Sequence, residues 1–237
     1  MRRRAFALAV CLLAGCATST QNGKRLDSDF KLSYLAKSDI DLVVEAHQRA
    51  ALDSLRLLAE KLYKRNPREW KKSAQPGAEA AVKRLFGDPA HWDFPELQGR
   101  KGADAVHLAF DEAYGGDRVL AFVAGLGYMV MASYDFKTEY YLPDDLDPQK
   151  LYNSARNVEI AAWKLANART AGGELFLLAN EADGPVKNLS FEREFGKLIA
   201  NQDLLARIIA EKTNRSIVHV VQSLATAVFL PVTTAMK

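Results

Sequence analysis

Cysteine is nearly absent: the 237 residues hold two, Cys11 and Cys16, both near the start of the chain. From Ala17 onward there is no thiol for a disulfide, a cysteine zinc site or redox exchange. The common catalytic signatures are missing as well. Without a GxSxG elbow, an HExxH helix, a GxxxxGKS/T phosphate loop or a CxxC pair, the usual hydrolase, zinc and nucleotide chemistries lack their local geometry. Long apolar runs are lacking too. A membrane-spanning helix needs about 20 mostly apolar residues, whereas the charge-free run 119–134 has 16. A second charge-free run, 216–236, is interrupted by His219, Gln222, Ser223, Thr226 and Pro231. No 34-residue repeat emerges, which weighs against a tetratricopeptide array.

What is present begins at the amino terminus. Arg2, Arg3 and Arg4 precede a short apolar stretch from Ala5 to Leu13, and small residues then lead into Cys16. This is the layout of a processed leader. The residues Leu13-Ala14-Gly15-Cys16 resemble the lipobox of bacterial lipoprotein signal peptides. The resemblance covers residues 1–16 only. It implies that 1–15 is a cleaved signal peptide, that Cys16 carries a diacylglycerol thioether, and that the new amino terminus is acylated. In the Gram-negative sorting pattern, Ala17 in place of an aspartate after Cys16 implies the outer membrane, facing the periplasm. A Gram-positive host would place the protein on the outer face of its plasma membrane. Two or more acyl chains make such an anchor stable, since each buried methylene contributes about 0.8 kcal/mol.

The leader also explains the charge. Lys and Arg number 32 against 29 Asp and Glu, with a pI near 8.8, and the three leading arginines account for the whole excess. The remainder is formally neutral, with no basic footprint for nucleic acid or an anionic surface. Residues 16–37, with Thr18, Ser19, Thr20, Gln21, Asn22 and Gly23, read as a lipidated flexible tether. Residues 38–237 are long enough, and apolar enough, to bury one core without staples.

The periodicity of that domain is helical. Ser38 and Asp41 form a capping-box-like start, and Ile40, Val44, His47, Ala51, Leu55, Leu58 and Leu62 recur at spacings of three and four until Asn66-Pro67. Glu45–Arg49 and Glu60–Lys64 pairs suit a solvated opposite face. A weaker segment covers 77–86, followed by a punctuated loop with Trp92 and Phe94. Val106, Phe110 and Ala113 resume the pattern up to Gly115-Gly116. The run 119–134 predicts a buried central helix, with Ala121, Ala124 and Gly125 admitting a neighbour's backbone. Asp147-Pro148 caps a helix carrying Leu151, Ala155, Val158, Ala162 and Leu165. Residues 174–180 read as a short strand or hairpin, or as a buried turn. Ser190 opens a helix with Phe191, Phe195, Leu198, Gln202, Leu205 and Ile209, and 216–236 is expected to form a last, buried helix. The fold class is mainly α, a helical bundle.

Candidate sites are few. Gly125-Leu126-Gly127 lacks the third glycine and the preceding strand of a dinucleotide loop, and packing explains it. Ser28-Asp29-Phe30-Lys31 matches SxxK but falls in the tether, without the companion motifs. Asp104, His107, Asp111 and Tyr114 would share one face of a helix, where an imidazole and two carboxylates suit a divalent cation, although any amphipathic helix shows such a face. His47 suits a hydrogen-bonded core histidine. The row Tyr152, Arg156, Glu159 and Trp163 adjoins an apolar stripe, with Arg156 and Glu159 spaced to pair, and suits a structural network or a partner surface. No metal or cofactor is implied.

Three readings follow. The first is a non-catalytic accessory or scaffold lipoprotein that docks on an envelope protein assembly. The second is a carrier of a lipid or other apolar ligand, held between runs 119–134 and 216–236 with Tyr128, Ser133, His219 and Gln222 supplying polar groups. The third is a cell-wall hydrolase using a glutamate acid, with nothing to select among Glu112, Glu159 and Glu181.

Overall fold

The computed structural model describes residues 20–21, 24–25, 37–88, 91–141, 144–181 and 187–233. The chain divides into two compact units, residues 1–36 and Lys37–Lys237. In the first, β1 (Thr20–Gln21) pairs antiparallel with β2 (Lys24–Arg25). Cys16, the leader and the SxxK residues lie outside the described residues. The second unit is a bundle of helices.

α1 (Asp39–Arg65) starts where expected, because both the backbone N–H and the hydroxyl of Ser38 donate to Asp41 Oδ2 at 2.7 Å. Val44, Ala51, Leu55, Leu58 and Leu62 form its buried stripe. Asn66 ends it, and Pro67, with no N–H to lose, opens α2 (Pro67–Lys72). α3 (Ala78–Leu85) follows, then a 3-10 turn at Pro95–Leu97 and the short α4 (Ala103–Ala109). Asp117 caps α5 (Arg118–Ser133) by accepting from Leu120 N at 2.9 Å. α6 (Pro148–Asn167) has the Asp147 cap and Pro148 at its first position. α7 (Ser190–Thr213) ends at Asn214, which takes the left-handed conformation.

α5 is the central helix. Every residue from Val119 to Gly127 is buried, and the helix is bordered by α1, α2, α3, α4 and α6, while α7 packs between α1 and α6. Two glycines set how closely its neighbours approach. A Cβ on Gly125 would fall 2.6 Å from Gly102 O, and one on Gly127 would fall 2.5 Å from the Trp92 ring. The expectation that small residues here admit a neighbour's backbone is met by α4, and Trp92 fills the core as a loop aromatic should.

Polar side chains also enter this core, each with partners. Gln202 is fully buried and ties three helices together. Its Oε1 accepts from Tyr134 Oη at 2.8 Å, and its Nε2 donates to Ser133 Oγ at 3.2 Å and Ser154 Oγ at 3.0 Å. Asp117 Oδ2 accepts from Tyr63 Oη and Ser73 Oγ, both at 2.9 Å. Burial pushes the Asp117 pKa up against those donors and also raises that of Tyr63.

Four expectations need correction. Residues 216–233 are not helical. They leave α7 as an extended arm with a turn at 224–226, and residues 234–236 lie outside the described residues. The arm is rich in β-branched Ile217, Val218, Val220, Val221, Val228 and Val232 and contains Pro231, all unfavourable in a helix interior. Of the two alternatives for 174–180 the strand is not formed and the bent, irregular path is, with isolated bridges that pair Arg169 with Leu175 and Glu181 with Asn188. Glu45 faces inward, not outward: it is buried and accepts from Tyr140 N at 2.9 Å, while Lys37 lies at 2.5 Å. The face of Asp104, His107, Asp111 and Tyr114 does not form, because α4 stops at Ala109. Asp111 Oδ1 accepts from Ala113 N at 2.9 Å, a local turn that competes with helix continuation.

Candidate functional site

The site grows from the side of α6 that the arm covers, where Asn153, Asn157 and Tyr152 are buried. Gln149, Asn153 and Asn157 fall at i, i+4 and i+8, so one face of the helix carries a row of primary amides, with Tyr152 beside it. The row holds the main chain of the arm. Val218 N donates to Gln149 Oε1 at 2.8 Å, and Gln149 Nε2 donates back to Val218 O at 3.1 Å. Val220 N donates to Tyr152 Oη at 3.1 Å, and that hydroxyl reaches Val220 O at 3.4 Å. On the returning limb, Leu230 N donates to Asn157 Oδ1 at 2.6 Å, and Asn157 Nδ2 donates to Leu230 O at 2.8 Å. Asn153 Nδ2 donates to Pro231 O at 2.8 Å, while Asn153 Oδ1 accepts from Gln149 Nε2 at 2.9 Å.

A carboxamide presents a donor and an acceptor side by side, as a peptide unit does. The amides of α6 therefore act as a substitute strand edge, satisfying alternate residues of an extended segment. Val218 and Val220, two residues apart, both turn their backbone groups to α6, which is the two-residue alternation of a β-strand. Gln222 then ties the two limbs, accepting from Val228 N at 2.9 Å and donating to Val228 O at 3.2 Å.

Side-chain burial is one-sided. Val232 is buried, and Phe229 packs edge-on to His107 with ring centroids 5.3 Å apart. Burial first, and the Lys164 charge second, hold the His107 pKa below the usual histidine range, with Asp104 opposing. His219 stacks edge-on against Tyr152 at 5.1 Å. In contrast, Val221 is 96% exposed, Val228 71% and Val218 68%. A charge-free segment that hides its backbone and shows its valines is unusual at a protein surface.

A cleft of about 290 Å³ lies where the arm meets α6, lined by Tyr152, Arg156, Glu159, His219, Gln222 and Leu224 among others. Arg156 pairs with Glu159 at 3.0 Å, as their spacing suggested, and reaches α7 through Asp203 at 2.7 Å. Burial raises the Glu159 pKa, Arg156 lowers it and Asp203 adds to the rise. A second cleft of about 320 Å³ shares Glu159 and Leu224 and includes Trp163 and Phe195.

The sequence-derived sets are thus recombined. Tyr128, Ser133, His219 and Gln222 do not converge. Tyr128 lies against Phe136, with ring centroids 5.0 Å apart, and Ser133 belongs to the Gln202 network with no exposed surface. His219 and Gln222 instead share a cleft with Tyr152, Arg156 and Glu159. The helix pair on which the apolar-ligand reading relied is not formed, because its second member is the extended arm. Glu112 accepts from Ala171 N, and Glu181 pairs with Arg65 at 3.3 Å. His47 links α1 to α7: its Nδ1 lies 3.3 Å from Asn201 O, and Asn201 Nδ2 donates to His47 O at 2.7 Å. Among the described residues no group of three or more His, Cys, Asp or Glu is arranged to hold a metal ion, and no helix is long and apolar enough to cross a membrane.

The sequence pattern singled out the row Tyr152, Arg156, Glu159 and Trp163 on α6 but not the amide row beside it. Its signal was available in the i, i+4, i+8 spacing of three carboxamides; the identity of its occupant, some 70 residues further along, was not. Comparison of the chain with protein-family models, with curated proteins and with solved structures returns no match.

Proposed function

We propose that this protein is a bacterial envelope lipoprotein, anchored through Cys16 in the outer membrane and facing the periplasm. It acts as a non-catalytic accessory subunit that docks a partner protein on the surface made by the arm and α6. One observation carries the docking surface: Val218, Val221 and Val228 are turned outward, bare of charge, on an arm that Gln149 of α6 holds at Val218 and Gln222 ties across its two limbs at Val228. Outward-facing apolar side chains beside a concave polar-aromatic cleft are the features of a protein interface, where a few buried anchors carry most of the binding energy. The anchor reading rests on the lipobox-like residues Leu13-Ala14-Gly15-Cys16.

A photo-crosslinking amino acid at position 221, in cells expressing the full chain, tests both halves. The expected result is a discrete crosslinked envelope protein that is lost when Cys16→Ser releases the chain from the membrane. Absence of any crosslinked protein, together with normal envelope function of Cys16→Ser, would contradict the proposal.

A further inference from the structure

We propose that the cleft between the α1–α2 corner and the loop after α6 is a binding site for a phosphate monoester. The cleft holds about 640 Å³ and is lined by three arginines, Arg65, Arg68 and Arg169, together with the apolar residues Leu175, Phe176 and Leu178. It shares no lining residue with the cleft at the arm, so the inference stands independently of the partner docking proposed above. Its walls are tied in place by the fold. Leu178 N donates to Asn66 Oδ1 at 2.8 Å, and Asn66 Nδ2 donates back to Leu178 O at 2.9 Å. The Arg118 guanidinium lies over the Phe176 ring, 4.9 Å from its centroid, while donating to Ala109 O and Asp111 O. Thr170 N closes the loop by donating to Glu174 O at 2.8 Å. A preformed cleft of this kind spares a ligand the cost of ordering the loop.

The arginines of the cleft are short of acids. Elsewhere Arg84, Arg156 and Arg215 are clasped by carboxylates at 2.6, 2.7 and 2.5 Å. Here Arg68 is exposed and has no acid partner among the described residues, and Arg169 gives one Nη to Gly173 O at 3.1 Å. Arg65 reaches Glu181 only at 3.3 Å, and its buried Nε has no hydrogen-bond partner. A buried donor of that kind calls for an acceptor. The carboxylates that line the cleft do not supply one. Glu69 accepts from Lys72 Nζ and from Arg118 N, each at 2.7 Å, and Glu174 is exposed at the rim. One guanidinium fork satisfies the two oxygens of a carboxylate. Three forks match the three terminal oxygens and nearly double charge of a phosphate monoester. The cleft is larger than the phosphate alone, and Leu178, 48% exposed, and the half-buried Leu175 and Phe176 suit the body that carries it, a lipid or a soluble ester.

The test is calorimetric titration of the purified full chain in a maltoside detergent with three probes. These are phosphatidic acid dispersed in the same detergent, glycerol 3-phosphate in solution, and phosphatidylcholine, a lipid without a phosphate monoester. The expected result is saturable one-to-one binding of a phosphate monoester, weakened roughly tenfold or more in Arg68→Gln and in Arg169→Gln. Both side chains are exposed, so the fold tolerates their replacement. The double variant Arg68→Lys with Arg169→Lys keeps the charge and loses the forks. It should bind more weakly than the parent, as a shaped site requires and a merely basic surface does not. Tighter binding of phosphatidic acid than of glycerol 3-phosphate makes a lipid the source of the phosphate, and equal binding makes it a soluble ester; the site is upheld in both cases. No saturable binding of either monoester, equal binding of phosphatidylcholine, or parental affinity in the glutamine or the lysine variants would overturn the proposal.

Discussion

The two charge-free regions of the molecule have opposite fates. α5 is a helix buried on all sides; residues 216–233 are extended, and several of their side chains face solvent. Lack of charge is common to both, so it decides neither conformation nor burial. Residue shape decides conformation: three of the 16 residues of α5 are β-branched, whereas eight of the 18 residues of 216–233 are, and that segment also holds a proline. Available partners decide the rest. α5 bonds its own backbone and can be enclosed by apolar side chains, while an extended segment must find its hydrogen bonds elsewhere. The amide row of α6 supplies them.

This contrast can be broken from the α5 side with the largest effect. Phe122 is fully buried and packs edge-on to Phe110 and Phe195. Phe122→Ala should lower global stability by about 3–5 kcal/mol, measured by denaturant unfolding. Next in size, Gln202→Leu removes the group shared by Tyr134, Ser133 and Ser154. Each orphaned buried polar group costs about 1–3 kcal/mol, and a stability equal to the parent would show that the network is dispensable.

Changes on the arm side should be local. Asn157→Ala removes both bonds to Leu230, each contributing a net of about 0.5–1.5 kcal/mol. Amides of residues 216–233 should exchange faster while α5 is unaffected. Acid should loosen the same segment, because burial first, to which the Phe229 ring of the arm contributes at 5.3 Å, and the Lys164 charge second hold the His107 pKa below its ordinary 6.5. The released state takes up the proton first, so docking is at full strength above that value and weakens as pH falls through the lowered one. Arm exchange rates followed from pH 7.5 to 5 report this, and His107→Phe should remove the dependence. Smallest of all, Val221→Ser should change stability by no more than about 0.5 kcal/mol, since the side chain touches little. Its effect should be confined to partner capture.

Much of the fold was legible where the signal was local. The Ser38 and Asp41 start of α1, the Asp147-Pro148 start of α6 and the enclosed α5 are all set by residues adjacent in sequence, and all are observed. What failed depended on distant partners or on competing turns. Glu45 looked solvated because its acceptor role for Tyr140 N spans 95 positions. The length of α4 was overestimated because the Asp111 turn was not weighed against apolar spacing. The arm was read as a helix because its apolar content was weighed and its β-branched character was not. The candidate site was half visible: Tyr152, Arg156, Glu159, His219 and Gln222 were named, but in two separate groups. Only the path of the arm shows that they border one cleft.

Native-state hydrogen exchange resolved by residue is the most direct test of the claim that α6 holds the arm as a separable layer. The amides of Val218, Val220, Val228 and Leu230, bonded to side chains, should exchange through local opening well before those of α5, and faster still in Asn157→Ala. If they exchange only with global unfolding, in step with α5, the arm is part of the core and the account is wrong.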